Sequence, residues 1–340
     1  MFSRVLSTVL CLAFLVVALS PPSSRTTPPS GALVVRQGTT TPGEFSTFAS
    51  AVAALPANAS SQTIFIFPGT YEGQTLLQRS GPVTILGYSA HPANASANTV
   101  VFAHSIDATR AGSNDLSGTL RVHTDDVRIY NIDIRNEFGP GSQAIALSNY
   151  GNRVGLYACR LFGYQDTFLT NQGMHAFLQG YIEGATDFIF GQHSVAYFEG
   201  NTIGVKGKGF VTADGRSSND TGIYLFKNNV IALSPNAFPN ATGNYHLGRP
   251  WGDFARVVFI STTITAPIEP ALWSIWHPDE PNTDNVFYAD FNTTGSGLPG
   301  DVERPGFATV LSASEAEAFT IESVLGGDYA EWVDADYLLS

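Results

Sequence analysis

Six short segments of the chain can be laid over one another so that one apolar position recurs: YNIDIRN (130–136), YACRLFG (157–163), LQGYIEG (178–184), EGNTIG (199–204), FKNNVIA (226–232) and ISTTITA (260–266). Ile134, Leu161, Ile182, Ile203, Val230 and Ile264 fill that position, at intervals of 27, 21, 21, 27 and 34 residues. Two residues earlier stand Ile132, Cys159, Gly180, Asn201, Asn228 and Thr262, mostly small residues or asparagine. Strand-like alternation returning at such intervals restricts the fold severely, because each repeat is one thin coil whose apolar face only its neighbours can cover. The pattern predicts an all-β parallel β-helix with short capping helices. A β-sandwich or a propeller is the competing architecture, since turn-rich strands occur in all three. Residues 44–55 (EFSTFASAVAAL) are predicted to form a helix closing the first coil. A second short helix is predicted over 312–319, where Ser312 and Glu315 have capping-box spacing.

Composition narrows the setting. Apolar residues at 44% exclude disorder, and 33 Gly with 19 Pro fit many turns rather than long helices. Only 14% of residues are charged, against about a quarter in ordinary soluble proteins; coils stacked through apolar or Asn ladders rather than ion pairs account for part of the deficit. Lys and Arg number 17 against 29 Asp and Glu, a net charge of −12, and the lysines are only Lys206, Lys208 and Lys227. That balance excludes nucleic acid and anionic membranes as partners. Arg4 followed by an apolar run from Val5 to Leu19 has the layout of a secretory signal and is shorter than the roughly 20 residues a membrane span needs. The domain reading is a signal peptide at 1–20, a disordered linker at 21–32 that includes PPSSRTTPPS, and one β-helix domain at 33–340. Five Asn-x-Ser/Thr sequons, at Asn58, Asn94, Asn219, Asn240 and Asn292, predict a secreted, extracellular glycoprotein. Cys11 leaves with the signal, so Cys159 alone remains, no internal disulfide forms, and a monomer stabilised by a large core is expected.

The densest chemistry lies between Gly139 and Gly191, where Gln143, Gln165, Asp166 and Asp187 fall in three successive coils. Gln143 and Gln165 are 22 residues apart, Asp166 and Asp187 are 21 apart, and one turn of coil advances the chain by a strand spacing of about 4.8 Å. The two carboxylates should therefore stand one above the other. So close a pair divides its protons, one member neutral and the other charged, which places a general acid beside a nucleophile or base. Arg249, in LGRPW (247–251), offers the planar fork that holds a carboxylate ionised. Trp251 beside it can stack on a sugar ring, and the two glutamine amides suit a developing oxyanion. Tyr164 and Phe190 read as core or cleft wall. Taken singly, an inward Asn, Gln or Asp is as readily a structural ladder or turn cap; the constellation points to chemistry.

Rival chemistries lack their residues. No G-x-S-x-G elbow exists for a serine esterase and no H-E-x-x-H for a zinc hydrolase. An inverting glycosidase needs carboxylates about 6.5–9.5 Å apart, wider than adjacent coils give. The one Asp-Asp pair, Asp125-Asp126, reads as a turn. A catalytically silent carbohydrate-binding or cell-wall protein would use the same cleft and tolerate loss of either aspartate.

GYQDT (163–167), DFIFG (187–191) and LGRPW (247–251), in this order and spacing, resemble the signature blocks of the pectin methylesterases, and PGTYEG (68–73) and QAIAL (143–147) resemble the family too. The similarity runs from about residue 33 to EWV at 331–333. It implies a right-handed parallel β-helix that hydrolyses the C6 methyl esters of pectin and releases methanol, with no metal or organic cofactor. By resemblance Asp187 is the nucleophile and Asp166 the general acid, then base. Gln143 and Gln165 hold the oxyanion, Arg249 orients Asp187, and Trp251, Arg249, Gln143 and Phe190 bind the substrate, methyl-esterified homogalacturonan. Two departures, Phe168 for the usual Leu and Gln192-His193 for the commoner Asn-Ala, are expected to bear on subsite preference rather than on the reaction.

Overall fold

The computed structural model describes residues 22–339; the expected signal at 1–20 lies outside them. Among these residues the strands form three parallel sheets of 12, 8 and 7 strands. From Gln62–Ile66 to Thr263–Ile264 consecutive strands pass from one sheet to the next, so each full round adds one strand to each sheet, and two further strands at either end extend the twelve-stranded sheet alone. The result is the right-handed parallel β-helix that the repeat and the resemblance predicted.

The corner from the twelve-stranded to the eight-stranded sheet explains both the repeat and the one slip in reading it. One residue per coil there has positive φ: Asn131 (54°), Ala158 (48°), Gln179 (51°), Gly200 (68°), Asn228 (55°) and Ser261 (51°). Asn228 is therefore the corner itself. Asn229, not Asn228, continues the ladder: its Oδ1 accepts from Asn201 N at 2.8 Å, as Asn201 Oδ1 accepts from Gly180 N at 2.7 Å. The stacked apolar position is correspondingly Ile231, which pairs with Ile203 and Ile264, whereas Val230 is 37% exposed. A shift of one residue turns every side chain to the opposite face.

Inside, the column Ile64, Ile85, Ile129, Leu156, Phe177, Phe198, Phe226 and Phe259 runs in strand register along the twelve-stranded sheet. Its last rings stack almost parallel, Phe198 on Phe226 at 4.4 Å and Phe226 on Phe259 at 4.3 Å. Burying each ring contributes about 2 kcal/mol. The capping helix covers Phe48–Ala53, shorter than residues 44–55, because Glu44–Phe45 pairs as a strand with Val34–Val35 and Thr47 caps the helix by accepting from Ser50 N. At the other end, the helix Ala313–Glu317 carries the expected capping box of Ser312 and Glu315. Helices Ile321–Leu325 and Tyr329–Trp332 then join the apolar cluster of Tyr130, Tyr157, Leu178, Tyr197 and Leu225.

The stretch read as a disordered linker is docked at Arg25, whose backbone pairs with Ser89 at 2.8 and 2.9 Å. Its guanidinium lies 4.3 Å from the centre of the Tyr130 ring and donates to Asn131 and Tyr337. One arginine with a prepared seat outweighs a disorder-prone composition. Charges other than Asp166, Asp187 and Arg249 are buried too. Asp133 binds Arg135 and Arg160, Glu183 binds Lys206, Asp290 binds Arg304, and Asp214 and Arg216 form a pair with no exposed side-chain surface. A chain poor in charge still pairs what it buries. Asp125-Asp126 is a turn, as read, with Asp126 at φ 57°.

Candidate active site

Two consecutive coils carry the same turn. Gly163 and Gly184 open it, and each must be glycine: a Cβ at Gly163 would come within 2.5 Å of Thr167 Oγ1, and one at Gly184 within 2.2 Å of Phe188 Cβ. Three residues on, Asp166 (φ 62°) and Asp187 (φ 50°) adopt the left-handed conformation, which Asp tolerates better than most residues. Asp166 N donates to Thr186 O at 3.0 Å and Phe168 N to Phe188 O at 2.9 Å, so the turns are stacked in register. Both carboxylates are nearly buried, each residue 6% exposed.

Arg249 comes from two coils beyond Asp187. On the outer face of the seven-stranded sheet Phe190 pairs with Ala213 and Ala213 with Arg249. The small side chain of Ala213 leaves the arginine free to reach back. Its Nε donates to Asp187 Oδ1 at 2.9 Å and Nη2 to Oδ2 at 2.7 Å, the fork expected from the sequence. The guanidinium carbon sits 4.2 Å from the ring centres of both Phe210 and Trp276. Beyond them His246 stacks on Phe210 at 5.4 Å and His277 lies against Trp276 at 5.1 Å. Five flat groups thus form one column with Arg249 in the middle.

This geometry separates the two carboxyls. Burial is the largest influence on Asp166 and raises its pKa well above the usual carboxylate range; the neighbouring Asp187 charge raises it further, and Arg249 opposes this. Burial is also the largest influence on Asp187 and leaves its pKa raised, but less than that of Asp166, because the guanidinium hydrogen bonds and charge of Arg249 work against it. The proton therefore belongs on Asp166 and the charge on Asp187.

Together these groups line a cavity of about 270 Å³ that brings in all seven residues singled out from the sequence: Gln143, Gln165, Asp166, Asp187, Phe190, Arg249 and Trp251. Gln143 Oε1 accepts from Ser142 Oγ at 3.1 Å, which leaves its Nε2 as the end available to a ligand. Trp251 lies against Gly215, where a Cβ would come within 2.3 Å of its ring. Asn114, Ala213 and Trp276 also line the cavity and were not foreseen. Trp276 shares the LWSIWHP segment with Trp273, which is buried against Tyr288 at 4.4 Å. Two tryptophans three residues apart in a loop have no period that tells core from cleft. Phe168 faces the core, fully buried near Phe177 and Phe198, and neither it nor His193 lines the cavity. Tyr164 packs edge-on to Phe238, away from the site.

A family model described as Pectinesterase matches residues 32–328. A pectinesterase of Aspergillus aculeatus is 40% identical over 332 residues, covering 95% of this chain and 97% of the relative. One from Aspergillus niger is 37% identical and covers 99% and 100%. The crystal structure of the Aspergillus niger pectin methylesterase in deglycosylated form superposes with a TM-score of 0.84 at 32% identity, covering 93% of this chain and all of that one.

Proposed function

The chain belongs to the pectinesterase family and de-esterifies pectin, and from that premise we propose that it does so through a covalent intermediate on Asp187. The observation that carries this reading is the Arg249 fork, which keeps Asp187 charged and aimed while Asp166, one coil away, holds a proton. Asp187 attacks the C6 carbonyl carbon, and the amides of Gln143 and Gln165 meet the charge that grows on the carbonyl oxygen. Asp166 gives its proton to the departing methanol. The remaining mixed anhydride is opened by water, whose proton Asp166, now a carboxylate, takes up. The galacturonate acid leaves, Asp187 is again ionised, and Asp166 is again protonated. Trp251 and Phe190, at a ring separation of 6.4 Å, form the apolar wall for the sugar.

Hydroxylamine added during turnover tests the covalent step, because it intercepts an anhydride as the galacturonyl hydroxamate. Hydroxamate formation at the expense of free acid, lost in Asp187→Ala, is expected. Undiminished methanol release without any hydroxamate overturns the intermediate.

The same proposal extends to the setting. The chain is secreted as a monomer after loss of residues 1–20, and the five sequon asparagines, all exposed, carry N-glycans. Among the described residues no helix is long and apolar enough to cross a membrane. Amino-terminal sequencing and glycopeptide mass spectrometry of the secreted protein check this; an intact amino terminus or five unmodified asparagines would contradict it.

A further inference from the structure

On the outer face of the eight-stranded sheet runs a groove of about 1020 Å³, larger than the catalytic cavity and sharing none of its residues. Its floor includes Phe162 and Tyr181, with ring centres 5.5 Å apart and both rings half-buried. Arg135 and Arg160 lie over Phe162 at 4.9 and 5.2 Å. Aromatic faces flanked by amide and guanidinium groups suit sugar rings, which have an apolar face and a rim of hydroxyls.

Charge decides which sugars. Arg135 and Arg160 share Asp133, at 3.0 and 2.6 Å, and Lys206 is held by Glu183 at 2.6 Å. With Glu137 also on the wall, three cations face three anions, so nothing is left over to attract polygalacturonate. Neutral sugars fit better. Asn94 and Ser96, two residues of one sequon, themselves form part of the wall. Asn94 Oδ1 accepts from Ser96 N at 3.0 Å and Ser96 Oγ at 2.7 Å, which leaves Nδ2, the atom that carries an N-linked sugar, outside these bonds.

We propose that the N-glycan of Asn94 folds back into this groove, its first N-acetylglucosamine residues lying on Phe162 and Tyr181. The inference rests on the secretion and glycosylation just proposed. The floor strands Arg160–Phe162 and Tyr181–Gly184 run directly into the turns of Asp166 and Asp187. The docked glycan therefore braces the two catalytic coils from behind without entering the cavity.

The test uses the full chain secreted from a eukaryotic host, treated with an N-glycan-releasing amidase under native conditions and followed site by site by glycopeptide mass spectrometry. Release at Asn94 is expected to be about tenfold slower than at Asn58 and Asn219, the protection given by a docking constant of ten. Phe162→Ala and Tyr181→Ala should each abolish the difference. Ser96→Ala should lower the Tm by about 2 °C while kcat and KM stay unchanged. Equal release rates, or an unmodified Asn94 in a protein glycosylated at Asn58, overturns the docking. A secreted protein unmodified at all five sites overturns the glycosylation reading along with it.

Discussion

Two arginine–aspartate pairs lie within a few coils of one another, and their surroundings differ in one respect. Asp214 accepts from Arg216 Nη1 at 2.7 Å, from Arg256 N at 2.7 Å and from Arg216 N at 3.3 Å. Arg216 spends its remaining donors on Asp220 at 2.6 Å and on Ser194 O at 2.5 Å, and neither member of the pair has exposed side-chain surface. Asp187 accepts from Arg249 alone among the described residues, and these side chains keep 9% and 14% exposure at the edge of a cavity. The first pair is closed on all sides and holds the fold. The second is open on one side, so lone pairs of a charged carboxylate still face the space a substrate would fill. What separates a structural ion pair from a reactive one here is the unused acceptor capacity of the carboxylate, not the pairing itself.

The contrast breaks most visibly at the aspartates. Asp187→Ala is expected to lower kcat by about 10⁴ or more, the scale on which loss of a member of a catalytic unit is felt, with circular dichroism and Tm near wild type. Residual methanol release above a hundredth of wild type would show that the open pair is not the reacting one. Asp214→Ala should do the reverse in kind. It leaves Arg216 buried without its partner, which costs about 3–5 kcal/mol of stability and is read by chemical denaturation or as a protein that fails to accumulate. Full stability in that variant would show that Asp220 and Ser194 alone suffice to hold Arg216.

Arg249→Lys sharpens the comparison through pH. Lysine keeps the charge and loses the fork, so Asp187 is no longer held by two parallel hydrogen bonds. Those bonds lower its pKa against the effect of burial; without them the pKa rises. Acylation needs Asp187 ionised, so the acidic limb of kcat/KM should move to higher pH, with about a 10²-fold loss at neutral pH. An unmoved limb would mean that Arg249 binds substrate and does not tune the nucleophile.

The turns that carry Asp166 and Asp187 were legible in the sequence because they obey a rigid period: 21 residues set Gly163 over Gly184 and Asp166 over Asp187, and backbone register does the rest. Arg249 was legible only as a motif, since its reach across Ala213 follows from how two coils pack. Ile231 was misread by one residue because the corner at Asn228 is an αL turn, which hydrophobic periodicity does not report. Arg25 was hidden by its company of prolines and serines, although Tyr130, Asn131 and Tyr337 form a seat for it. Periodic stacking writes itself into the chain; a seat assembled from distant segments does not.

Phe210 belongs to the second kind and gives the smallest expected effect. It does not line the cavity, and it touches the reaction only through its contact with the Arg249 guanidinium, which Trp276 also contacts. A cation–π contact of this sort contributes about 1 kcal/mol. Phe210→Ala should therefore lower kcat roughly fivefold, leave KM nearly unchanged, and raise the acidic limb of the pH profile in the same direction as Arg249→Lys but less far. Phe210→Tyr, which restores a flat ring, should recover both kcat and the limb. A variant that changed KM instead would place Phe210 at a sugar subsite. One that changed stability alone would reduce the column to packing, and the Asp187 pair would then owe its alignment to the fork and Trp276.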